Sequence, residues 1–172
     1  MIKKCFHTPK KIFTIDDVDY YAADRDGVGK FNGDVIINLT PFPNIPVLFP
    51  EIKKYYSIPY EEIMIPWPDL GLPKMHISFW GDIHKIIKYK KWKVVCVHCE
   101  HGHGRTGTAL SCILVATRGI PATDAIDTIR YYHCCEAVET LEQCNYIAEV
   151  DSYYNNCELV ENYYQQILLK KK

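Results

Sequence analysis

A 172-residue chain with 48% hydrophobic and 24% charged residues can bury a core without cross-links, which excludes a disordered chain and a small disulfide-stapled scaffold. Its net charge of −1 gives no global attraction to acidic lipid or to nucleic acid, and nucleic acid is not expected as a partner. No run reaches the length of a membrane span, and Phe6 to Lys11 interrupts any apolar signal core, so stable membrane association is not expected either.

These limits favour a single domain over residues 1–172, monomeric and intracellular, in the cytoplasm or alternatively the nucleus. Its eight cysteines should then be mostly reduced. In chain order, Val35-Ile36-Ile37-Asn38-Leu39 reads as a buried strand. Pro41, Pro43, Pro46 and Pro50 enforce an irregular connection, with a short helix over Glu51–Tyr56. Ile63-Met64-Ile65 reads as a strand stopped by Pro66 and Pro68. Ile83, Ile86 and Ile87 set a helix within Ile77–Lys90. Val94-Val95-Cys96-Val97 is continuously apolar, as in a strand covered on both faces. Thr106–Thr117 is apolar nearly all round and predicts a buried helix, ended by Gly119 and Pro121. Further helices are expected over Ala122–Tyr132, from Thr140 (where Thr140-Leu141-Glu142-Gln143 forms a capping box) and over Glu158–Leu169. Alternating strands and helices predict an α/β fold.

The chemistry concentrates between the buried strand and the buried helix, in His98-Cys99-Glu100-His101-Gly102-His103-Gly104-Arg105-Thr106. A loop entering a helix N-terminus aims backbone N–H groups at one point, and the helix dipole adds positive potential there. Gly102 and Gly104 allow the tight backbone of such a cradle. Arg105 adds a planar cationic fork that matches two phosphate oxygens. Thiolate, not thiol, is the nucleophilic form of cysteine, and the field that attracts a phosphate also favours it. His98 is placed to fix the loop through its ring N–H.

At these residues the chain resembles the protein tyrosine phosphatase superfamily, whose signature is His-Cys, five residues, Arg, then Ser or Thr. The resemblance implies Cys99 as nucleophile and Arg105 as phosphate clamp. It also implies the backbone of Glu100, His101, Gly102, His103, Gly104 and Arg105 as cradle, and Thr106 as partner of the thiolate. Trp67-Pro68-Asp69-Leu70-Gly71-Leu72-Pro73 resembles the Trp-Pro-Asp loop of the tyrosine-specific branch. Asp69 is then the general acid, on a loop stiffened by Pro66, Pro68 and Pro73, with Gly71 as a hinge point. Val138-Glu139-Thr140 with Gln143 resembles the segment that positions the hydrolytic water, although Gln143 also belongs to the capping box. The resemblance runs over about residues 35–154. It implies a central mixed, largely parallel β-sheet flanked by helices, with the phosphate loop between a buried strand and a buried helix.

His101 and His103, with His98, Cys96 and Cys99, also suggest zinc. A loop wrapped around an anion turns its side chains outward, however, and only His133-Cys134-Cys135 offers a second ligand group. No metal or cofactor is therefore expected. His101 and His103 are read as shaping the rim. A Cys96–Cys99 disulfide is a minor alternative. The expected function is hydrolysis of phosphotyrosine, with phosphoserine and phosphothreonine as further substrates, in a phosphorylated protein partner. A phosphoinositide or RNA 5′-phosphate substrate is the alternative. A silent phosphoprotein-binding module is disfavoured because nucleophile, arginine and acid are all present.

Overall fold

The computed structural model describes residues 5–43 and 60–155. The helices expected over residues 51–56 and 158–169, and Pro46 and Pro50, lie outside the described residues. Five strands form one sheet: β1 Lys10–Ile15, β2 Val18–Ala23, β3 Val35–Asn38, β4 Glu61–Met64 and β5 Val94–His98. Their order is β1-β2-β5-β3-β4. β1 and β2 pair antiparallel, and the other three pairings are parallel. The sheet is mixed and largely parallel, as the family resemblance implied.

It also begins earlier than the expected core of about 35–154. β1 and β2 precede residue 35 and supply one whole flank. Asp16 and Asp17 join them as a two-residue hairpin, both at positive φ (46° and 65°), with Ile15 opposite Val18. Aspartate tolerates that conformation better than most residues, which lets so short a turn close.

Helices α1 Phe79–Tyr89, α2 Gly104–Arg118, α3 Ala122–Tyr132 and α4 Leu141–Asn155 follow. α2 is buried along most of its length and packs against the other three. It ends at Gly119, in the left-handed region at φ 63°, whose N–H donates to the Val115 carbonyl. Side-chain alternation divides the sheet. Tyr20, Ala22, Val35, Ile37, Val95 and Val97 face the helices, whereas Ala23, Ile36 and Cys96 face Val28 and Phe31 around the 3₁₀ turn Gly27–Lys30. Cys96 thus sits in a core cluster separate from that of Cys99, which disfavours the Cys96–Cys99 disulfide.

Register positions the site. Ala23, His98 and Asn38 lie side by side across β2, β5 and β3, and Met64 continues the row on β4. The carboxyl ends of four parallel strands therefore meet at one edge, where open α/β sheets bind ligands. The segments leaving those ends carry Asp24 and Arg25, Leu39 to Phe42, Ile65 to Asp69, and Cys99 to His103.

Candidate active site

Cys99 leaves β5 at the sheet's carboxyl edge and is 2% exposed. The backbone after it is pinned from behind. The Cys99 carbonyl accepts from His98 Nδ1 at 3.3 Å, so that nitrogen carries the proton. The Glu100 carbonyl accepts the Arg25 N–H at 3.2 Å, and the Gly102 carbonyl accepts His133 Nε2–H at 2.6 Å. Each peptide is trans, so its C=O and the next N–H point in opposite directions. Three carbonyls drawn outward therefore turn the N–H groups of Glu100, His101 and His103 toward the inside of the loop. Gly102 makes the bend possible at φ 75°, and a Cβ there would also press on the Ala23 carbonyl at 2.9 Å.

Gly104 departs from the expected cradle. Its N–H donates to Glu139 Oε2 at 2.8 Å and so is engaged outside the loop. A carboxylate there satisfies the first orphan N–H of α2 and suits the positive end of its dipole. Glu139 is set by its neighbours. Val138, a β-branched residue at φ 60°, is buried, and its carbonyl and that of Ala137 are held by Arg130 at 3.1 and 3.0 Å. The capping box forms as expected: Thr140 Oγ1 accepts the Gln143 N–H at 3.1 Å and Gln143 Oε1 accepts the Thr140 N–H at 3.4 Å, while the same oxygen accepts the Glu139 N–H at 2.8 Å. Gln143 Nε2 is left buried beside Gly104, without a partner among the described residues.

Arg105 occupies the first turn of α2 and is 3% exposed. Its Nη1 donates to the carbonyls of Trp67 at 3.2 Å and Leu39 at 3.4 Å, and its Nη2 contacts Asp69 Oδ1 at 2.9 Å. Among the described residues Nε has no partner, nor has the fully buried hydroxyl of Thr106, including with Cys99. The expected Thr106–thiolate contact is thus absent from this state. Orphaned buried donors cost roughly 1–3 kcal/mol each, so three around one loop mark a place built for acceptors.

Asp69 comes from the segment after β4, 30 residues before Cys99 in the chain, and its contact with Arg105 brings the two predicted functional segments together. Trp67 anchors that segment, 3% exposed and edge-on to Trp80. Pro68 to Gly71 forms a turn closed by the Gly71 N–H on the Pro68 carbonyl at 3.1 Å. The left-handed residue is Leu70 (φ 57°), not Gly71, so the backbone stress of this loop lies one residue before the expected hinge. A cleft of about 500 Å³ opens beside Arg105 and Asp69, walled by Pro41, Phe42, Pro66 and Pro68, with Lys74 at its edge.

A family model described as the Swiss Army Knife protein, DSP-PTPase phosphatase domain, matches residues 79–145. The uncharacterized protein MJ0215 of Methanocaldococcus jannaschii is 32% identical over 142 residues, 70% of this chain and 86% of that one. The chain belongs to the protein tyrosine phosphatase superfamily, as a dual-specificity-like member. A second Methanocaldococcus jannaschii protein, MJECL20, is 32% identical over 99 residues, 55% of this chain and 62% of that one. Among solved structures, Tk-PTP in its active form aligns with a TM-score of 0.62 at 24% identity, covering 84% of this chain and 97% of that one. PTPMT1 in complex with PI(5)P aligns at 0.62 and 16% identity over 84% and 96%. These two likenesses establish a phosphatase fold.

Within this phosphatase fold, burial lowers the pKa of His98 to about 4, opposed by its bond to the Cys99 carbonyl. Burial likewise pushes the Cys96 thiol far up. His101 is exposed at the rim, whereas His103 turns behind the loop, its Nε2 2.8 Å from His7 Nε2. Sequence reading missed Asp24, Arg25 and His7. Asp24, 7% exposed, accepts the N–H of His7 at 2.7 Å and that of Gly27, which ties the segment before β1 to the back of the loop. Arg25 also pairs with Glu100 at 3.0 Å. No local spacing announces these contacts. The only signal was a buried-type strand running into an Asp-Arg pair.

Proposed function

We propose that this protein is a cysteine-dependent phosphomonoester hydrolase acting on phosphotyrosine, and on phosphoserine and phosphothreonine, in proteins. The observation that carries the reading is the 2.9 Å contact of Asp69 with the buried fork of Arg105, next to a buried Cys99 at a helix N-terminus. In the reaction, phosphate oxygens take the place of Asp69 on Arg105 and on the inward N–H groups. Cys99 sulfur attacks phosphorus as the bond to the leaving oxygen breaks, and Asp69 hands that oxygen its proton. Asp69, now a carboxylate, takes a proton from water. The water oxygen bonds phosphorus, releasing phosphate and the Cys99 thiolate. The unpartnered Thr106 hydroxyl is available to that thiolate, and Gln143 Nε2 to the water. Arg105 and the loop N–H groups stabilise charge that grows on the phosphoryl oxygens in both steps.

The proline and phenylalanine walls of the cleft favour an aromatic leaving group and so phosphotyrosine. Lys74 supports a second reading, a phosphoinositide substrate, because it adds a cation beside Arg105. The test is hydrolysis of a phosphotyrosine peptide, a phosphoserine peptide, a phosphoinositide and an RNA 5′-triphosphate by wild type and Cys99→Ser. The phosphotyrosine peptide should rank first, and Cys99→Ser should abolish turnover on every substrate. Unchanged activity in Cys99→Ser would sink the mechanism. A higher kcat/KM for the phosphoinositide would select the second reading.

A further inference from the structure

The back of the phosphate loop holds a side-chain cluster that hydrolysis does not use. One ligand-type atom from each of Cys5, His7, His103 and Cys134 lies within 4.8 Å of the other three. They come from three places in the chain: the segment before β1, the phosphate loop, and the turn after α3. We propose that Cys5, His7, His103 and Cys134 bind a zinc ion that clamps the outer face of the phosphate loop to the segments on either side of it.

Two thiolates and two imidazoles form the S₂N₂ donor set that selects zinc among common biological cations, and they neutralise its charge in a half-buried place. Around a tetrahedral zinc, with Zn–S about 2.3 Å and Zn–N about 2.0–2.1 Å, neighbouring ligand atoms sit roughly 3.3–3.8 Å apart. Closing the present cluster onto an ion therefore takes movements on the order of 1 Å. The backbones are already held. His7 exchanges two hydrogen bonds with Asp24, His103 is the N-cap of α2, and the Cys134 carbonyl accepts the Ala137 N–H.

A second observation concerns the atoms behind the ligands. The facing Nε2 atoms of His7 and His103 leave His103 Nδ1 directed at Glu139 Oε1, 3.9 Å away. A carboxylate behind the far nitrogen of a ligating histidine is the usual outer shell of a zinc site, where it orients the ring. Glu139 is itself fixed by the Gly104 N–H. A loop wrapped around an anion cannot converge several side chains on a metal, and this one supplies only His103, which points outward. This assignment does not depend on the phosphatase reading, and its test reads metal rather than turnover.

The experiment uses the full chain carrying Cys99→Ser, so that the nucleophile cannot act as a thiolate ligand. Purified under reducing conditions, loaded with zinc and dialysed, it should retain about one zinc per chain by mass spectrometry. Cobalt in place of zinc should give visible bands of a tetrahedral site with thiolate-to-metal charge transfer. Adding Cys5→Ser or Cys134→Ser should remove most of the bound zinc and the charge-transfer band. Cys135→Ser, on the exposed neighbour, should change neither. Substoichiometric zinc, a cobalt spectrum without thiolate bands, or equal retention in the Cys5 and Cys134 variants would overturn the proposal. So would a Cys5–Cys134 disulfide in the reduced preparation.

Discussion

The inner and outer faces of the loop from Cys99 to Gly104 are shaped by opposite means. The inner face is made of contiguous sequence: one cysteine, the N–H groups that follow it, and an arginine in the first helical turn. The outer face, apart from the Cys99 carbonyl on His98, is held by residues far away in the chain. Glu100 meets Arg25 across 75 positions, His103 meets His7 across 96, and Gly102 and Gly104 meet His133 and Glu139 across 31 and 35. The inward direction of the N–H groups follows from the outward pull on the carbonyls. The loop's own residues decide what chemistry it can do, and the contacts behind it decide its shape. Variants of the inner face should then change turnover with little effect on stability, and those of the outer face the reverse.

The largest expected effect is on the inner side. Asp69→Asn removes the proposed proton donor but keeps the shape of the side chain. Turnover of a phosphotyrosine peptide should fall about 10²- to 10⁴-fold, and less for an aryl phosphate with a good leaving group. Asp69 is largely exposed, so the melting temperature should hardly move. Orthovanadate should bind more tightly, because a neutral amide no longer competes for Arg105. Steady-state kinetics and inhibitor titration check all three, and an unchanged kcat would remove Asp69 from the mechanism.

The same division explains what could be read from the sequence. Cys99, Arg105 and the helix after them were legible because strand, loop and helix are consecutive, so spacing carries geometry. Asp69 was legible only through its neighbours Trp67 and Pro68, since a Pro-Asp pair alone marks any turn. The β1–β2 hairpin was passed over because its aspartate turn lacks the glycine that usually announces one, and the expected core therefore began too late. The left-handed position falls on Leu70 and not on the expected hinge point Gly71, because the turn is closed by the Gly71 N–H and so sets φ one residue earlier. Cys5 and His7 had no pattern to show, and Cys134 was visible only within His133-Cys134-Cys135, with nothing local to say that it would meet the segment before β1. The sheet register brings Ala23 beside His98, and Asp24 after it holds His7 there.

A second test uses pH. His98 lies directly behind Cys99, with a pKa lowered to about 4 by burial from an ordinary 6.5. Arg25 pushes in the same direction, while the Cys99 carbonyl, Glu100 and Asp24 oppose it. As pH falls from 6.5 toward 4, the unfolded chain takes up this proton and the folded chain does not. Stability contributed by this histidine is therefore complete above pH 6.5 and is lost across that window, roughly 3 kcal/mol in all. Urea unfolding of wild type and His98→Gln at pH 7 and pH 5 should show a shallower acid loss in the variant. Equal slopes would mean that His98 takes up its proton at the same pH in the folded and the unfolded chain, and so contributes nothing to the acid loss.

The smallest effect is the sharpest on the comparison itself. Glu139 belongs to the outer face by its contact with the Gly104 N–H, yet family resemblance puts it near the hydrolytic water. As a helix-end partner it should contribute about 1 kcal/mol to stability. Glu139→Ala should then lower the melting temperature by a few degrees and leave kcat within a few-fold. Glu139→Gln should restore most of the loss, because an amide oxygen still accepts that N–H. The opposite pattern, a kcat reduced by more than about 10²-fold at constant stability and not rescued by glutamine, would move Glu139 to the inner face. The loop would then be shaped and chemically served by the same carboxylate, and the division between its two faces would fail at this residue.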